Sequence, residues 1–121
     1  MASKMQKNWE ISLHKAFEQE FNELPPLVRQ GLVARVNLLK QFGPTLGRPY
    51  IDTLKGSRFD NMKEIRFNAN DGVWRVAFAF DPSQCAVLLV AGDKAGLSSE
   101  TKFYKKLIKE ADQRFEAYLK G

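Results

Sequence analysis

The stretch "FAFDPSQCAVLLVAGDKAG", residues 78–96, decides the fold because it holds two apolar runs joined by a short polar turn. Each run is long enough to be a buried strand, and Pro82 sets the backbone angle that a type I turn requires. The second run stops at Gly92, and Asp93 and Lys94 follow at once. The stretch therefore predicts an antiparallel hairpin whose last strand ends in a charged pair at the rim of a sheet.

The length and composition of the chain limit the kinds of protein it can be. Its 121 residues can enclose one core, so we expect residues 1–121 to form a single domain. One cysteine, Cys85, excludes an internal disulfide and a zinc site built from cysteines. Nothing has the spacing of metal ligands, and we expect neither a metal nor a cofactor. The lack of a secretory signal or a long apolar run predicts a cytoplasmic protein without a membrane span.

The charge of the chain is unevenly distributed. The formal net charge is +5. Between residues 94 and 109 a single glutamate stands among five lysines, which are Lys94, Lys102, Lys105, Lys106 and Lys109. This cluster favours an anionic partner, such as nucleic acid, at the C-terminal half, whereas the ordinary role of surface lysines is solubility.

Two strands and a turn extend the hairpin toward the N-terminus. The segments "MKEIRF", residues 62–67, and "VWRVAFAF", residues 73–80, have the composition and alternation of strands. Residues 68–72 join them, and their Asp-Gly pair tolerates the positive φ angles of a tight turn. With "AVLLVAG", residues 86–92, these strands predict a mainly antiparallel sheet.

The remaining segments predict helices around this sheet. Residues 9–13 alternate like a short strand, and apolar residues from Phe17 onward then recur at helical spacing until a Pro-Pro pair. A second helix follows over residues 26–42, residues 45–61 are too rich in glycine and proline for a regular element, and Ser98 or Ser99 caps a long last helix. The order predicts an α+β fold with a mainly antiparallel sheet of about four strands, two N-terminal helices and one C-terminal helix.

Strand alternation predicts a charged face on this sheet. Trp74 and its alternate neighbours face the core, so Arg75 faces the other side beside the small Ala77. On the preceding strand the same alternation places Glu64 and Arg66 with Arg75. Because we expect the helices to cover one face of the sheet only, these residues would lie in an open, shallow trough.

Three blocks of the sequence resemble a known family. They are "GPTLGRPYIDTLKGSRFDNMKEIRF" (residues 43–67), "WRVAFAFDPSQCAVLLVAGDKAG" (residues 74–96) and "FYKKLIKEAD" (residues 103–112). Together they resemble the phage-derived HigB-like toxins of the RelE/ParE superfamily, whose element order matches that predicted above. The resemblance implies a type II toxin–antitoxin system. Its toxin cleaves mRNA in the ribosomal A site without a metal, and a helix-turn-helix antitoxin silences it.

The resemblance also implies roles for individual residues. The active positions of such toxins fall on Glu64 and Arg66, on Arg75, on Lys94 after the last strand, and on the aromatic Tyr104. Glu64 would take the proton of the 2′-hydroxyl, and the arginines would clamp the phosphate. Lys94 would bind phosphate or, with a lowered pKa, protonate the leaving oxygen, and Tyr104 would stack on a base. Several relatives carry a histidine or arginine near Lys94, which leaves the general acid open.

Further RNA contacts are expected around the same trough. The strand that carries Glu64, the end of the last strand and the lysine-rich start of the last helix supply candidates. These are Lys63, Asp93, Lys102, Phe103, Lys105 and Lys106.

Alternative interpretations of these residues stay open. Glu64, Arg66 and Arg75 can be an ordinary ion pair on a solvated face, contributing about 0 to 1 kcal/mol. Tyr104 fits the apolar stripe of the last helix and therefore core packing. At the level of function, the alternatives are a ParE-like inhibitor that binds DNA gyrase without chemistry, and an inactive RNA-binding regulatory module.

Overall fold

The computed structural model describes residues 8–121. A short 3-10 turn, Gly43–Thr45, follows the second helix. The elements in chain order are β1 (Glu10–Leu13), α1 (Lys15–Glu23), α2 (Pro26–Phe42), β2 (Ile51–Thr53), β3 (Met62–Ala69), β4 (Gly72–Phe80), β5 (Cys85–Asp93) and α3 (Glu100–Lys120).

The strands form one sheet in the order β1-β5-β4-β3-β2. β1 runs parallel to β5, and every other neighbouring pair is antiparallel. The predicted α+β class and its three helices are confirmed. The sheet has one strand more than expected because β2 forms inside residues 45–61, where we predicted no regular element. Three residues are too few to show an alternating pattern, and β2 is fixed instead by its pairing with β3, which buries Ile51 against Ile65.

The β3–β4 hairpin turns through two residues. Ala69 pairs with Gly72, and the residues between them, Asn70 and Asp71, have φ angles of 53° and 61°. Positive φ at both central positions is typical of a type I′ turn, which matches the twist of the flanking strands. The predicted turn is therefore present, but its left-handed residues are Asn70 and Asp71. Gly72 is needed for a different reason, since a Cβ there would lie 2.6 Å from the indole nitrogen of Trp74.

Helices cover both faces of the sheet. α1 and α2 pack on one face, around a core that includes Phe17, Leu32 and Phe78. α3 packs on the other face, where Leu107 and Phe115 cover Ala77 and other alternate strand residues. The expectation that all helices lie on one face was wrong. On the α3 side, Ala77 and Ala79 of β4 and the alternate residues of β5 are also apolar. That face too must therefore leave water, and Ala77 lies under a helix rather than in an open trough.

A β-bulge interrupts the pairing of β4 with β5. Ala77 is opposite Val90, whereas Phe78 is opposite Leu88, so Leu89 is an extra residue on β5. Leu89 and Val90 consequently both belong to the core beneath α3. An inserted residue of this kind reverses the side-chain alternation for the rest of the strand.

An arginine from α3 forms a hydrogen bond with the backbone of the bulge. Arg114 donates a hydrogen bond to the carbonyl oxygen of Leu89 at 2.7 Å and binds both carboxylate oxygens of Glu20 on α1, at 2.9 and 2.6 Å. After the bulge, a Cβ at Gly92 would contact side chains of α3, so this position faces that helix. Lys94, two residues later, comes to the same side.

Asp81 organises the β4–β5 turn. One carboxylate oxygen accepts hydrogen bonds from the backbone amides of Ser83 and Cys85, at 2.9 and 3.0 Å, and from the Ser83 hydroxyl at 3.0 Å. The other accepts a 2.6 Å hydrogen bond from the Tyr118 hydroxyl of α3. This bond ties the last turn of the helix to the sheet. Within residues 8–121, no helix has the length and hydropathy needed to cross a membrane.

We predict that Tyr118→Phe destabilises the protein in a pH-dependent manner. The hydrogen bond to Asp81 raises the pKa of Tyr118 to about 12, above its ordinary value of 10.0. The stabilisation is therefore complete below pH 10 and is lost as the pH rises through about 12. At neutral pH we expect the free energy of unfolding to fall by about 1 kcal/mol.

Denaturant unfolding of both proteins at neutral and alkaline pH, with phenolate absorbance as a second readout, tests this. The difference in stability should shrink above pH 10, and the most alkaline tyrosine transition should disappear in the variant. An unchanged phenolate titration would show that the Tyr118 hydroxyl does not make this bond.

Candidate active site

An open groove of about 700 Å³ lies between β2 and the first half of α3. Glu64, Arg66, Lys94 and Tyr104 line it, and these are four of the five residues predicted to be active. The fifth, Arg75, does not line the groove but contacts two of these residues, Glu64 and Tyr104. β3, β4, the chain just after β5 and α3 thus bring the five residues together.

Glu64 is the buried acid of this groove. It is opposite Asp52 on β2 and Ala77 on β4, and only 3% of its surface is exposed. Its Oε2 accepts a 2.9 Å hydrogen bond from Arg66, and its Oε1 lies 3.9 Å from Nε of Arg75. Among the described residues, Oε1 has no partner at hydrogen-bond distance. The Glu64 carboxylate is therefore held between two guanidinium groups, with Arg66 bound to Oε2 and Arg75 beside Oε1.

Arg75 connects the acid to α3. It is 6% exposed, donates from Nη1 to the carbonyl oxygen of Trp74 at 2.9 Å, and donates from Nε to the Tyr104 hydroxyl at 3.2 Å. The ion pairs of Glu64 with Arg66 and Arg75 exist, but Glu64 and Arg75 are buried. The alternative interpretation, an ordinary ion pair on a solvated face, is therefore wrong in one respect. α3 covers this part of the sheet, so Glu64 and Arg75 are not exposed to solvent.

Tyr104 packs in the core, which was one of the two roles weighed for it, and stacking on a base stays a prediction. Its ring packs against the core beneath α3, while its hydroxyl accepts the hydrogen bond from Arg75. Burial raises the pKa of Tyr104, and this outweighs the opposing effect of the Arg75 hydrogen bond. The hydroxyl is consequently a neutral phenol at neutral pH. The Lys94 ammonium lies 5.4 Å from the centre of the ring, so a base could stack on that face only after Lys94 moves.

Lys94 is anchored at the end of β5. Its backbone amide donates to the carbonyl oxygen of Val73 at 2.9 Å, and its ammonium forms an ion pair with Glu100. The side chain of Lys94 is 17% exposed, and that of Glu100 is 66% exposed. The cation thus reaches the groove with a carboxylate already bound to it.

The residues predicted to contact RNA divide between two grooves. Lys105 lines the groove of Glu64, and Lys63 borders it by donating to the Thr53 hydroxyl at 3.2 Å. A second groove of about 460 Å³ lies on the other flank of α3, and it is lined by the remaining four, Asp93, Lys102, Phe103 and Lys106. The structure therefore does not place all these residues around one trough.

Asp93 has a role in the backbone of this region. Its Oδ1 accepts hydrogen bonds from the amides of Val73 and Ala95, both at 2.9 Å. These bonds fix the chain where it leaves β5 and turns toward α3. Across residues 8–121, no group of three or more histidine, cysteine, aspartate or glutamate side chains is placed to hold a metal ion.

The profile of the family described as phage-derived, Gp49-like protein matches residues 19–116. The chain belongs to this family. All five predicted active residues of this Gp49-like chain lie inside the matched region, as do both grooves.

Two relatives come from Mycobacterium tuberculosis and are described as candidate toxins. HigB2 is 44% identical over 87 residues, which are 71% of this chain and 42% of the relative. HigB3 is 48% identical over 84 residues, which are 69% of this chain and 70% of the relative. The Gp49-like chain therefore spans less than half of HigB2 and just over two thirds of HigB3. The resemblance to HigB-like proteins is confirmed.

A solved structure shares the fold. It is the free state of the E. coli toxin RelE with two arginines changed to alanine, and it superposes with a TM-score of 0.63. The match covers 88% of this chain and 97% of RelE at 13% sequence identity. The predicted RelE-like fold is confirmed.

The sequence prediction missed several charged residues of the groove. Arg48, Asp52 and Lys55 surround β2, and Glu100 begins α3. Arg48 donates to Asp52 at 2.6 Å, and this hydrogen bond is the main cause that lowers the pKa of Asp52. A signal was present, since the arginine, the acid and the lysine at positions 48, 52 and 55 lie inside the same block, residues 43–67, that carries Glu64.

We predict that Gly92→Ala disturbs the aromatic pair beside the groove. A Cβ at Gly92 would lie 2.8 Å from Cε1 of Phe103, whose ring packs edge-on against Tyr104 at 5.1 Å. The ring must move, and we expect a loss of about 1–3 kcal/mol in the free energy of unfolding. Gly47→Ala is the control, because a Cβ there meets nothing within 4 Å. Equal unfolding midpoints for the two variants would contradict the tight contact.

Proposed function

We propose that this chain is the toxin of a type II toxin–antitoxin system, and that it acts as a metal-independent, ribosome-dependent endoribonuclease that cuts mRNA. The observation that carries the proposal is the convergence of Glu64, Arg66, Arg75, Lys94 and Tyr104 on one groove. The names of the HigB relatives support the toxin function. The RelE-like fold is compatible with it.

The geometry supports cleavage by the 2′-hydroxyl of the RNA itself. In this reaction the Glu64 carboxylate, which lines the groove, accepts the proton of that hydroxyl, and the 2′-oxygen attacks phosphorus. The bond from phosphorus to the 5′-oxygen breaks, which leaves a 2′,3′-cyclic phosphate and a 5′-hydroxyl. RNA brings its own nucleophile, so the protein has to supply only a base, positive charge and a proton.

The cations are placed for the charge that develops on the phosphate. Arg66 and Arg75 flank Glu64, and a guanidinium fits phosphate oxygens in a bidentate manner. Lys94 adds a third positive group from the end of β5. The leaving 5′-oxygen takes its proton from Lys94 or from the neutral Tyr104 hydroxyl, the two candidate donors in the groove. Comparison of Lys94→Met with Tyr104→Phe distinguishes them.

The surface around the groove supports binding to RNA. Lys105 lies within the groove, and Lys102 and Lys106 extend positive charge along the other flank of α3. The place of action, mRNA in the ribosomal A site, and the partner, a helix-turn-helix antitoxin, are carried over from the resemblance to HigB- and RelE-type toxins.

We predict that Glu64→Gln removes toxicity and cleavage while the fold is kept. Glutamine preserves the shape and can accept the Arg66 hydrogen bond, but it cannot take a proton, so we expect a loss of at least about 10²-fold in cleavage rate. Glu116→Gln is the matched control. It makes the same change of charge on α3, in an ion pair with Arg58 and Lys120.

The test is induction of each protein in cells without antitoxin, with amino-acid incorporation and mRNA 5′-ends as readouts. Wild type and Glu116→Gln should stop incorporation and produce new ends phased to the reading frame. Continued translation with stalled replication would replace the proposal by the ParE-like gyrase inhibitor. No effect of the wild type on either process would leave an inactive RNA-binding module. Full cleavage by Glu64→Gln would remove Glu64 from the role of base.

A further inference from the structure

The groove contains an acidic side chain that the reaction does not use. Glu100 is the first residue of α3 and lines the groove, where its carboxylate forms the ion pair with Lys94. The helix does not need this side chain as a cap, because the Ser99 hydroxyl already accepts a hydrogen bond from the Lys102 amide.

The Glu100 carboxylate lies among the cations assigned to the phosphate. The hydrogen bond from Lys94 and then the Lys94 charge lower the pKa of Glu100, and the charges of Arg75 and Arg66 act in the same direction. A carboxylate and a phosphate group both present negatively charged oxygens to such donors. One of the three cations that would hold a phosphate, Lys94, is thus already bound to an anion supplied by the protein.

We propose that Glu100 occupies the position of the RNA phosphate on Lys94 in the free protein, and that the phosphate displaces it on binding. The ligand class, a phosphodiester, rests on the function proposed above. Glu100 is then an internal competitor that weakens the affinity of the free protein for RNA.

The two partners differ in how firmly they are held, and this fixes which of them moves. The backbone of Lys94 is bonded to Val73, its side chain is 17% exposed, and its ammonium lies over the Tyr104 ring. Glu100 is 66% exposed at the free end of a helix, and Lys94 is its one ion-pair partner among residues 8–121. An exposed carboxylate on a long side chain swings into solvent at little cost. Lys94 therefore stays in the groove when Glu100 leaves.

The test measures binding without the ribosome and without cleavage. Wild type, Glu100→Gln and the control Glu116→Gln are titrated with a short 2′-O-methyl RNA that cannot be cleaved, and with inorganic sulfate followed by amide NMR at Gly92 and Lys94. We expect Glu100→Gln to bind both ligands more tightly, by roughly threefold to fivefold, since an exposed ion pair is lost as a competitor. Glu116→Gln should bind like the wild type, although it carries the same net charge.

A second pair of variants localises the effect. If Glu100 acts through Lys94, Glu100→Gln should not increase the affinity for RNA or sulfate in a protein that already carries Lys94→Ala. A gain of the same size in that background, an equal gain for Glu116→Gln, or unchanged affinity of Glu100→Gln would each overturn the proposal. These binding results are separate from the cell assay. If the wild type arrests translation but Glu100→Gln binds RNA no more tightly, only the proposal about Glu100 is overturned. If Glu100→Gln binds RNA more tightly but the wild type does not arrest translation, only the proposed toxin function is overturned.

Discussion

The insertion of Leu89 into β5 is the constraint on which the site depends. A strand without it would keep strict alternation, and Lys94 would point toward α1 and α2, away from Glu64. The extra residue is stable because its carbonyl oxygen accepts the Arg114 hydrogen bond and its side chain is buried beneath α3. Glu20 holds Arg114 from the opposite layer. A structural contact at the centre of the sheet thus determines which charges meet at its edge.

Much of the fold could be predicted because its signals are local. The three long strands, both hairpin turns and the helix boundaries follow from apolar spacing, proline and glycine. The arrangement of the layers could not, because alternation states which residues share a face but not which face is exposed. Ala77 looked like the floor of a trough, and it is buried in the core beneath α3. β2 was missed since its stability comes from pairing with β3 rather than from its own sequence.

The candidate site could be predicted in part for the same reason. Glu64, Arg66 and Arg75 share one face through simple alternation across paired strands. The RNA-contact residues were grouped by proximity in sequence, but Lys102 and Lys106 line one flank of α3, and Lys105, about 100° around the helix from Lys106, lines the other. Arg48 and Asp52 reach the groove only through the pairing of β2, which sequence alone did not reveal.

The parallel pairing of β1 with β5 has a consequence for the synthesis of the protein. β1 leaves the ribosome first, but its partner residues begin at Cys85, and Tyr104 comes later still. Contacts between such distant parts of a chain form only after both have emerged. The sheet and the groove therefore remain incomplete until the segment from Cys85 to Tyr104 has been synthesised, long after β1.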